Sequence, residues 1–282
     1  MLTSTVAYLT PVEDCTLTPT VGRHAHALFL SLIERVDPAL SDALHAPASQ
    51  KPFTVSPIQG PVARVKGNGT PHIYLSSRNT YWMRFTTLSP DVFQPLLDYF
   101  LQPDSGFVVR IQSSLFVVTK LVTIPCQDTR WSGYTDWNSI ANSSQPSRML
   151  TIRFHSPTTF RQASGNTVQP YPDLVFGSWW DKWNAFAPNP VQMPRDERAR
   201  VLASISTARC NISTRMLDFG PFKQVGFVGT VSYDLSRLSE HERRWLDLLA
   251  RFAFYCGTGA KTTMGMGQTS YRSDHLPATA FG

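Results

Sequence analysis

Ser239-Glu-His-Glu-Arg-Arg-Trp-Leu-Asp-Leu-Leu-Ala-Arg-Phe-Ala-Phe-Tyr-Cys-Gly-Thr-Gly-Ala-Lys-Thr-Thr-Met-Gly-Met-Gly-Gln268 is the stretch on which the fold turns. Trp245, Leu248, Leu249, Phe252 and Cys256 recur at helical spacing, so a helix from Glu240 to about Tyr255 buries one face. Arg243, Arg244, Asp247 and Arg251 lie off that stripe. Gly257 stands where a helix C-terminus takes a residue of positive φ, which ends the helix there. Beyond it Gly259, Gly265 and Gly267 surround Lys261. Glycines let another backbone approach closely, and successive N–H groups in such a loop form an anion-binding concavity to which Lys261 adds a full charge. A nucleotide P-loop needs glycine directly before its lysine and a helix after the loop. Here Ala260 precedes Lys261 and the helix comes first, which argues against an NTPase.

A helix followed by a returning strand (Thr269 to Arg272) closes a βαββαβ unit, and the preceding residues supply its other parts. Leu150, Ile152 and Phe154 alternate with Thr151, Arg153 and His155 as a strand. Pro172 to Phe186 is helical, with Phe176, Trp179, Trp180 and Trp183 on or near one face, the spacing of core packing rather than of base stacking. A second helical piece runs from Pro194 through Ile205, and Ala208 to Leu217 and Val225 to Leu235 alternate as strands about a turn at Asp218-Phe219-Gly220-Pro221.

The first half repeats the order. Leu2 to Val12 reads as a strand; Ala25, Leu28, Phe29, Leu32, Ile33 and Val36 form a helical stripe; Asp37-Pro38 breaks it before a shorter helix up to His45. Pro52 to Ile58 is strand-like, Gly60 to Pro71 is a hairpin-type connection, and His72 to Leu75 and Thr80 to Leu88 are strands. Ser89-Pro90-Asp91 caps a helix with the stripe Val92, Phe93, Leu96, Leu97 and Phe100. Phe107 to Ile111 and Leu115 to Ile124 close the unit. The expected class is α+β, two tandem ferredoxin-like βαββαβ domains over residues 1–125 and 147–282, with a polar junction at 126–146.

The 282 residues carry 26 Lys and Arg against 20 Asp and Glu, a formal charge of +6. That excess, beside an anion-binding loop, favours a polyanionic partner. No apolar run approaches a membrane span, and the first residues lack a secretion signal. Cys15, Cys126, Cys210 and Cys256 are scattered, with no CxxC pair, which suggests neither a zinc site nor a disulfide framework. A reduced, cytoplasmic protein without membrane, metal or cofactor is expected.

Three features resemble the Cas6 type of CRISPR-associated endoribonuclease, a RAMP-superfamily group that cuts precursor CRISPR RNA within each repeat. They are the run Gly257-Thr-Gly259 to Gly265-Met-Gly267, the segment Asp37-Pro38, Ala43-Leu44-His45 and Lys51-Pro52-Phe53-Thr54-Val55-Ser56-Pro57-Ile58, and His155-Ser156-Pro157-Thr158-Thr159-Phe160. They fall in the family's order over essentially the whole chain. The resemblance implies metal-independent cleavage by 2′-hydroxyl attack on the scissile phosphate, leaving a 5′-hydroxyl and a 2′,3′-cyclic phosphate. His45 would serve as the acid–base group, since imidazole titrates near neutrality, and Lys51 would put positive charge on the phosphorane. Some relatives carry a tyrosine about fifteen residues before the histidine; here Leu30 stands there, so either Ser31, His24 or His26 substitutes or Lys51 alone orients the RNA. Gly257, Gly259, Lys261, Gly265 and Gly267, with Arg64, Lys66, Arg153, Arg215 and Lys223, are the expected RNA contacts. The implied partner is CRISPR repeat RNA; a CRISPR effector complex and a second copy of the chain remain open. The alternative is a repeat-RNA-binding subunit that does not cut.

Overall fold

Strand β1 (Leu2–Pro11) is the spine of the first half, and β2 (Cys15–Leu17), helix α1 (Val21–Glu34) and helix α2 (Pro38–His45) follow it. The computed structural model describes residues 1–18, 21–48, 50–67, 70–102, 107–127, 129–163, 165–188, 193–220 and 222–273. Asp37 caps α2 by accepting from the Leu40 N–H, with Pro38 fixing the first turn. Then come β3 (Phe53–Val55), β4 (Ala63–Gly67), β5 (Thr70–Leu75), β6 (Tyr81–Thr87), α3 (Pro90–Leu101), β7 (Val108–Ile111), β8 (Ser114–Val122) and β9 (Gly133–Thr135). The sheet runs β3-β6-β1-β8-β7, with β9 also pairing with β1. This is the ferredoxin-like order with one extra hairpin strand. Tyr81, Met83 and Phe85 point into the core beneath α1 and α3, as their alternation requires.

The connection expected from Gly60 to Pro71 contains β4 and the start of β5, and these pair with β2 as a separate three-stranded sheet. Asp14 anchors it: its carboxylate accepts from the Tyr74 hydroxyl at 2.5 Å and the Ser77 N–H at 2.7 Å. These hydrogen bonds hold the carboxyl far below its usual range.

Helix α4 (Trp137–Asn142), β10 (Met149–Thr158), β11 (Phe160–Gln162), β12 (Gly165–Thr167), α5 (Pro172–Phe186), α6 (Arg198–Ala203), β13 (Ser206–Asp218), β14 (Lys223–Asp234), α7 (Glu240–Cys256) and β15 (Thr269–Ser273) complete the chain. Their sheet runs β13-β14-β10-β15, again the ferredoxin-like order. Trp179, Trp180 and Trp183 are almost wholly buried, and Trp137 of α4 packs edge-on against Trp183. The segment before β10 therefore contributes a strand to the first sheet and a helix to the second core.

Helix α7 starts with a capping box, Ser239 and Glu242 satisfying each other's backbone N–H. It touches β1, β3 and β6 of the first half as well as β10, β15, α4 and α5 of the second. Its second face is buried too. Asp247 accepts from the Gln145 N–H and from Arg251, and the Arg243 guanidinium donates to the Pro146 and Leu238 carbonyls. Among the described residues no helix is long and apolar enough to cross a membrane.

Candidate active site

The last turn of α7 exposes carbonyls that a helix cannot satisfy by itself. Each finds a side chain. The Phe254 carbonyl accepts from Arg84 Nη2, the Tyr255 carbonyl from Thr86 Oγ1 at 2.6 Å, and the Cys256 carbonyl from Lys182 Nζ at 2.9 Å. Arg84 and Thr86 lie on β6, Lys182 on α5, so both halves converge on one helix end. Arg84 is buried rather than facing a polyanion. Its Nε donates to Ser4 Oγ at 2.7 Å, its Nη1 to Gln268 Oε1 at 2.8 Å, and its guanidinium lies over the Phe254 ring. Burial pulls its pKa down to about 9. Among the described residues no carboxylate contacts it; the negative end of the α7 dipole takes that place.

The glycine loop leaves this helix end. Gly257, Gly259, Gly265 and Gly267 all have positive φ, and a Cβ built on each would meet another protein atom at 3.0 Å or less. A Cβ on Gly259 would lie 2.3 Å from the Thr159 carbonyl, and one on Gly267 2.1 Å from the Thr258 carbonyl. Glycine is required there for close backbone packing more than for a ligand. Lys261, in the left-handed region, leads into a 3-10 turn at Thr262–Met264, and its ammonium sits over the Phe222 ring at 4.4 Å.

Helix α1 lies directly against this turn. Gly22 allows it, since a Cβ there would meet the Met264 carbonyl at 2.0 Å. One turn on, His26 Nδ1 donates to the Thr263 carbonyl at 3.0 Å, which leaves the lone pair on Nε2. Its ring stacks on Phe53, and burial, with the nearby charges of His45 and Lys51, lowers its pKa. His45 is the exposed last residue of α2. Lys51 closes that helix, its Nζ donating to the Leu44 carbonyl at 2.8 Å and also to that of Ala46. His26 is thus hydrogen-bonded to the glycine loop, with His45 and Lys51 near enough for their charges to act on it.

Beside them opens a cleft of about 830 Å³ between the halves. Gln50 and Lys51 form one rim, Gly259 to Thr263 another, and Arg161, Lys182, Arg198, Lys223 and Phe222 line the rest, with Asp173 and Asp181 the only carboxylates among the lining residues. Of the expected RNA contacts, Gly259, Lys261 and Lys223 line this cleft. Gly257, Gly265 and Gly267 are buried beneath the loop; Arg64, Arg153 and Arg215 are exposed elsewhere, and the Lys66 side chain lies outside the described residues. Ser31 spends its hydroxyl on the Leu28 carbonyl at 2.9 Å. His24 faces Thr18, with Nε2 3.4 Å from the hydroxyl oxygen. Leu30 is in the core. Helix α1 therefore presents His26, which spacing along the chain does not single out from His24. No group of three His, Cys, Asp or Glu that could hold a metal occurs among the described residues.

Two family models match the chain: the CRISPR Cas6 N-terminal domain over residues 1–142, and CRISPR-associated endoribonuclease Cas6 over residues 152–269. A product complex of Thermus thermophilus Cas6 (TTHB231) is similar at TM-score 0.79 and 29% identity, over 96% of this chain and 100% of that one. A product complex of Cas6 (TTHA0078) is similar at TM-score 0.75 and 26% identity, over 96% and 99%. An RAMP protein described as binding different RNA substrates shares the fold at TM-score 0.62 and 14% identity, over 96% and 100%. A search of the curated proteins finds no match.

Proposed function

The chain belongs to the CRISPR-associated Cas6 endoribonuclease family, and we propose that it cleaves precursor CRISPR RNA within its repeats by metal-independent attack of a 2′-hydroxyl. The observation that carries this reading is the closeness of His26 and His45 to Lys51, which itself lines a cationic cleft. In the proposed reaction the scissile phosphate sits beside Lys51, whose ammonium balances the charge that develops on the phosphorane. His26, whose pKa burial lowers and whose Nδ1 is engaged with the Thr263 carbonyl, takes the 2′-hydroxyl proton on Nε2. His45, exposed at the end of α2, delivers a proton to the departing 5′-oxygen. The 2′-oxygen–phosphorus bond forms as the phosphorus–5′-oxygen bond breaks, which yields the cyclic phosphate and the 5′-hydroxyl. Lys261, Lys223 and Arg161 hold the neighbouring phosphates.

The test is cleavage of the host's repeat RNA in excess EDTA by wild type and His45→Ala, with a parallel substrate bearing a single 2′-deoxy nucleotide at the cut. Wild type should cut, the variant should be slower by about 10²–10⁴-fold while still binding RNA, and the deoxy substrate should stay intact. Tight binding with no cleavage by wild type would leave an RNA-binding subunit, the reading that Leu30 in place of a tyrosine favours. Cleavage at full rate by His45→Ala would move the active site elsewhere.

A further inference from the structure

Strand β3 is three residues long, lies at the edge of the first sheet and pairs only with β6. So short a strand, paired on one side, is held weakly by its own ladder. Two members of the candidate site nonetheless depend on it. Phe53, its first residue, stacks on His26, and Lys51 stands two positions earlier. The 3-10 turn at Thr262–Met264 holds the same ring by its edge, the Thr263 carbonyl accepting from Nδ1. His26 is thus set by two elements from different halves, and their separation fixes which way Nε2 faces.

One side chain ties those elements together. Gln268 ends the glycine loop and is buried. Its N–H donates to Ser156 Oγ at 2.9 Å and its carbonyl accepts from the His155 N–H at 2.8 Å, so its backbone is fixed in the second half. Its side chain reaches into the first. Oε1 accepts from Arg84 Nη1 at 2.8 Å, and Nε2 donates to the Val55 carbonyl, at the end of β3, at 3.2 Å. The Ser56 N–H in turn donates to the Arg84 carbonyl, and the Arg84 N–H to Ser56 Oγ, both at 2.8 Å. The loop, the end of β3 and Arg84 of β6 therefore close into one ring of hydrogen bonds. Backbone packing reinforces it, since a Cβ on Gly265 would meet Pro57 at 3.0 Å. Anchoring Arg84 does not by itself account for an amide at this position. A carboxylate would serve the guanidinium at least as well, whereas an amide also supplies the donor that Val55 takes.

We propose that Gln268 is a positioning residue for the cleavage reaction: by tying the Val55 carbonyl to the glycine loop it sets the distance between Phe53 and Thr263, and so the orientation of His26 toward the 2′-hydroxyl. The proposal rests on the RNA-cleaving reading above and deepens it. Neither β3 nor the turn carries a titratable side chain, so the charges acting on the ring are those of His45 and Lys51.

Single-turnover cleavage at saturating protein, followed against pH, tests it, with affinity for uncleavable repeat RNA (2′-deoxy at the cut) measured alongside. Gln268→Glu keeps an acceptor for Arg84 and denies Val55 its donor; Gln268→Met removes both without adding charge. Each should slow cleavage about ten-fold or more, toward the ~10²-fold that displacing a reacting group by about 1 Å costs, while binding RNA within about two-fold of wild type. In Gln268→Met the acid limb should also move upward, because burial is the chief cause of the lowered His26 pKa and the ring is then less tightly enclosed. Ser4→Ala, which loosens Arg84 at Nε and leaves Val55 alone, should change neither rate nor limb. Gln268→Glu decides on its own if Gln268→Met fails to fold. A wild-type rate in Gln268→Glu, a loss of RNA affinity as large as the loss of rate, or an equal slowing by Ser4→Ala would overturn the positioning role and leave the cleavage reading intact. A wild type that binds RNA without cutting it overturns both.

Discussion

Among the described residues two helix ends are closed by lysine, and they differ in one respect. At the end of α2, Lys51 donates to the Leu44 and Ala46 carbonyls and remains half-exposed. At the end of α7, Lys182 donates to the Cys256 and Gly257 carbonyls and is buried, with Arg84 on the adjoining carbonyl. The electrostatics are the same: a cation against the negative end of a helix dipole. Water decides the rest. A buried ammonium that has already given its hydrogen bonds to carbonyls cannot turn toward a ligand without leaving them bare. A half-exposed one keeps directions in which a phosphate can approach. The same device is a structural joint in one place and a candidate reacting group in the other.

Substitutions can break that contrast. Arg84→Met should have the largest effect on folding, because Phe254, Gln268 and Ser4 lose a charged donor together. A loss of about 3 kcal/mol is expected in urea denaturation, and a loss below about 1 kcal/mol would mean that the joint is not where the halves are held. Lys182→Met comes next at about 2 kcal/mol, read in the same experiment, since it strands the Cys256 carbonyl and leaves that of Gly257 only the Cys256 thiol. Lys51→Met should cost less than about 1 kcal/mol, as exposed charges do, while slowing cleavage about 10²-fold, the low end for removing one group that stabilises transition-state charge. Equal stability losses at Lys51 and Lys182 would erase the distinction. The smallest effect is on pH dependence. Burial first, then the charges of His45 and Lys51, lower the His26 pKa, so the neutral ring persists below the ordinary imidazole value. A protonated ring cannot accept the 2′-hydroxyl proton, so cleavage should fall on the acid side only below about pH 6.5. Lys51→Met should move that limb upward by a fraction of a unit.

Much of the fold is legible in local periodicity. The alternation around Ile152 and Met83, the tryptophan stripe of α5 and the apolar stripe of α7 each correspond to an element, because burying one face imposes its period on the sequence. What periodicity misses is what sits on a second face. Arg243 and Asp247 lie off the α7 stripe and are nonetheless buried, because residues 144–147 cross that side. Arg84 counts as a strand cation in the sequence and is an inter-half clamp in the structure. Its partners lie 47 to 184 positions away, a separation no local pattern encodes. At the candidate site, the family resemblance points to His45 and Lys51, and the glycine loop is read from the sequence itself. Neither separates His24 from His26, because the choice depends on which way α1 is rolled. That roll is set by Gly22 against Met264, a contact spanning most of the chain.

The side chains that finish α7 come from β6 on one side and α5 on the other, so neither half by itself can terminate that helix. The two ferredoxin-like units therefore behave as one cooperative object. A chain divided between them would leave a frayed helix in one piece and a bare arginine in the other. Heat or denaturant should melt both sheets in a single transition, although each has the outline of an independent domain.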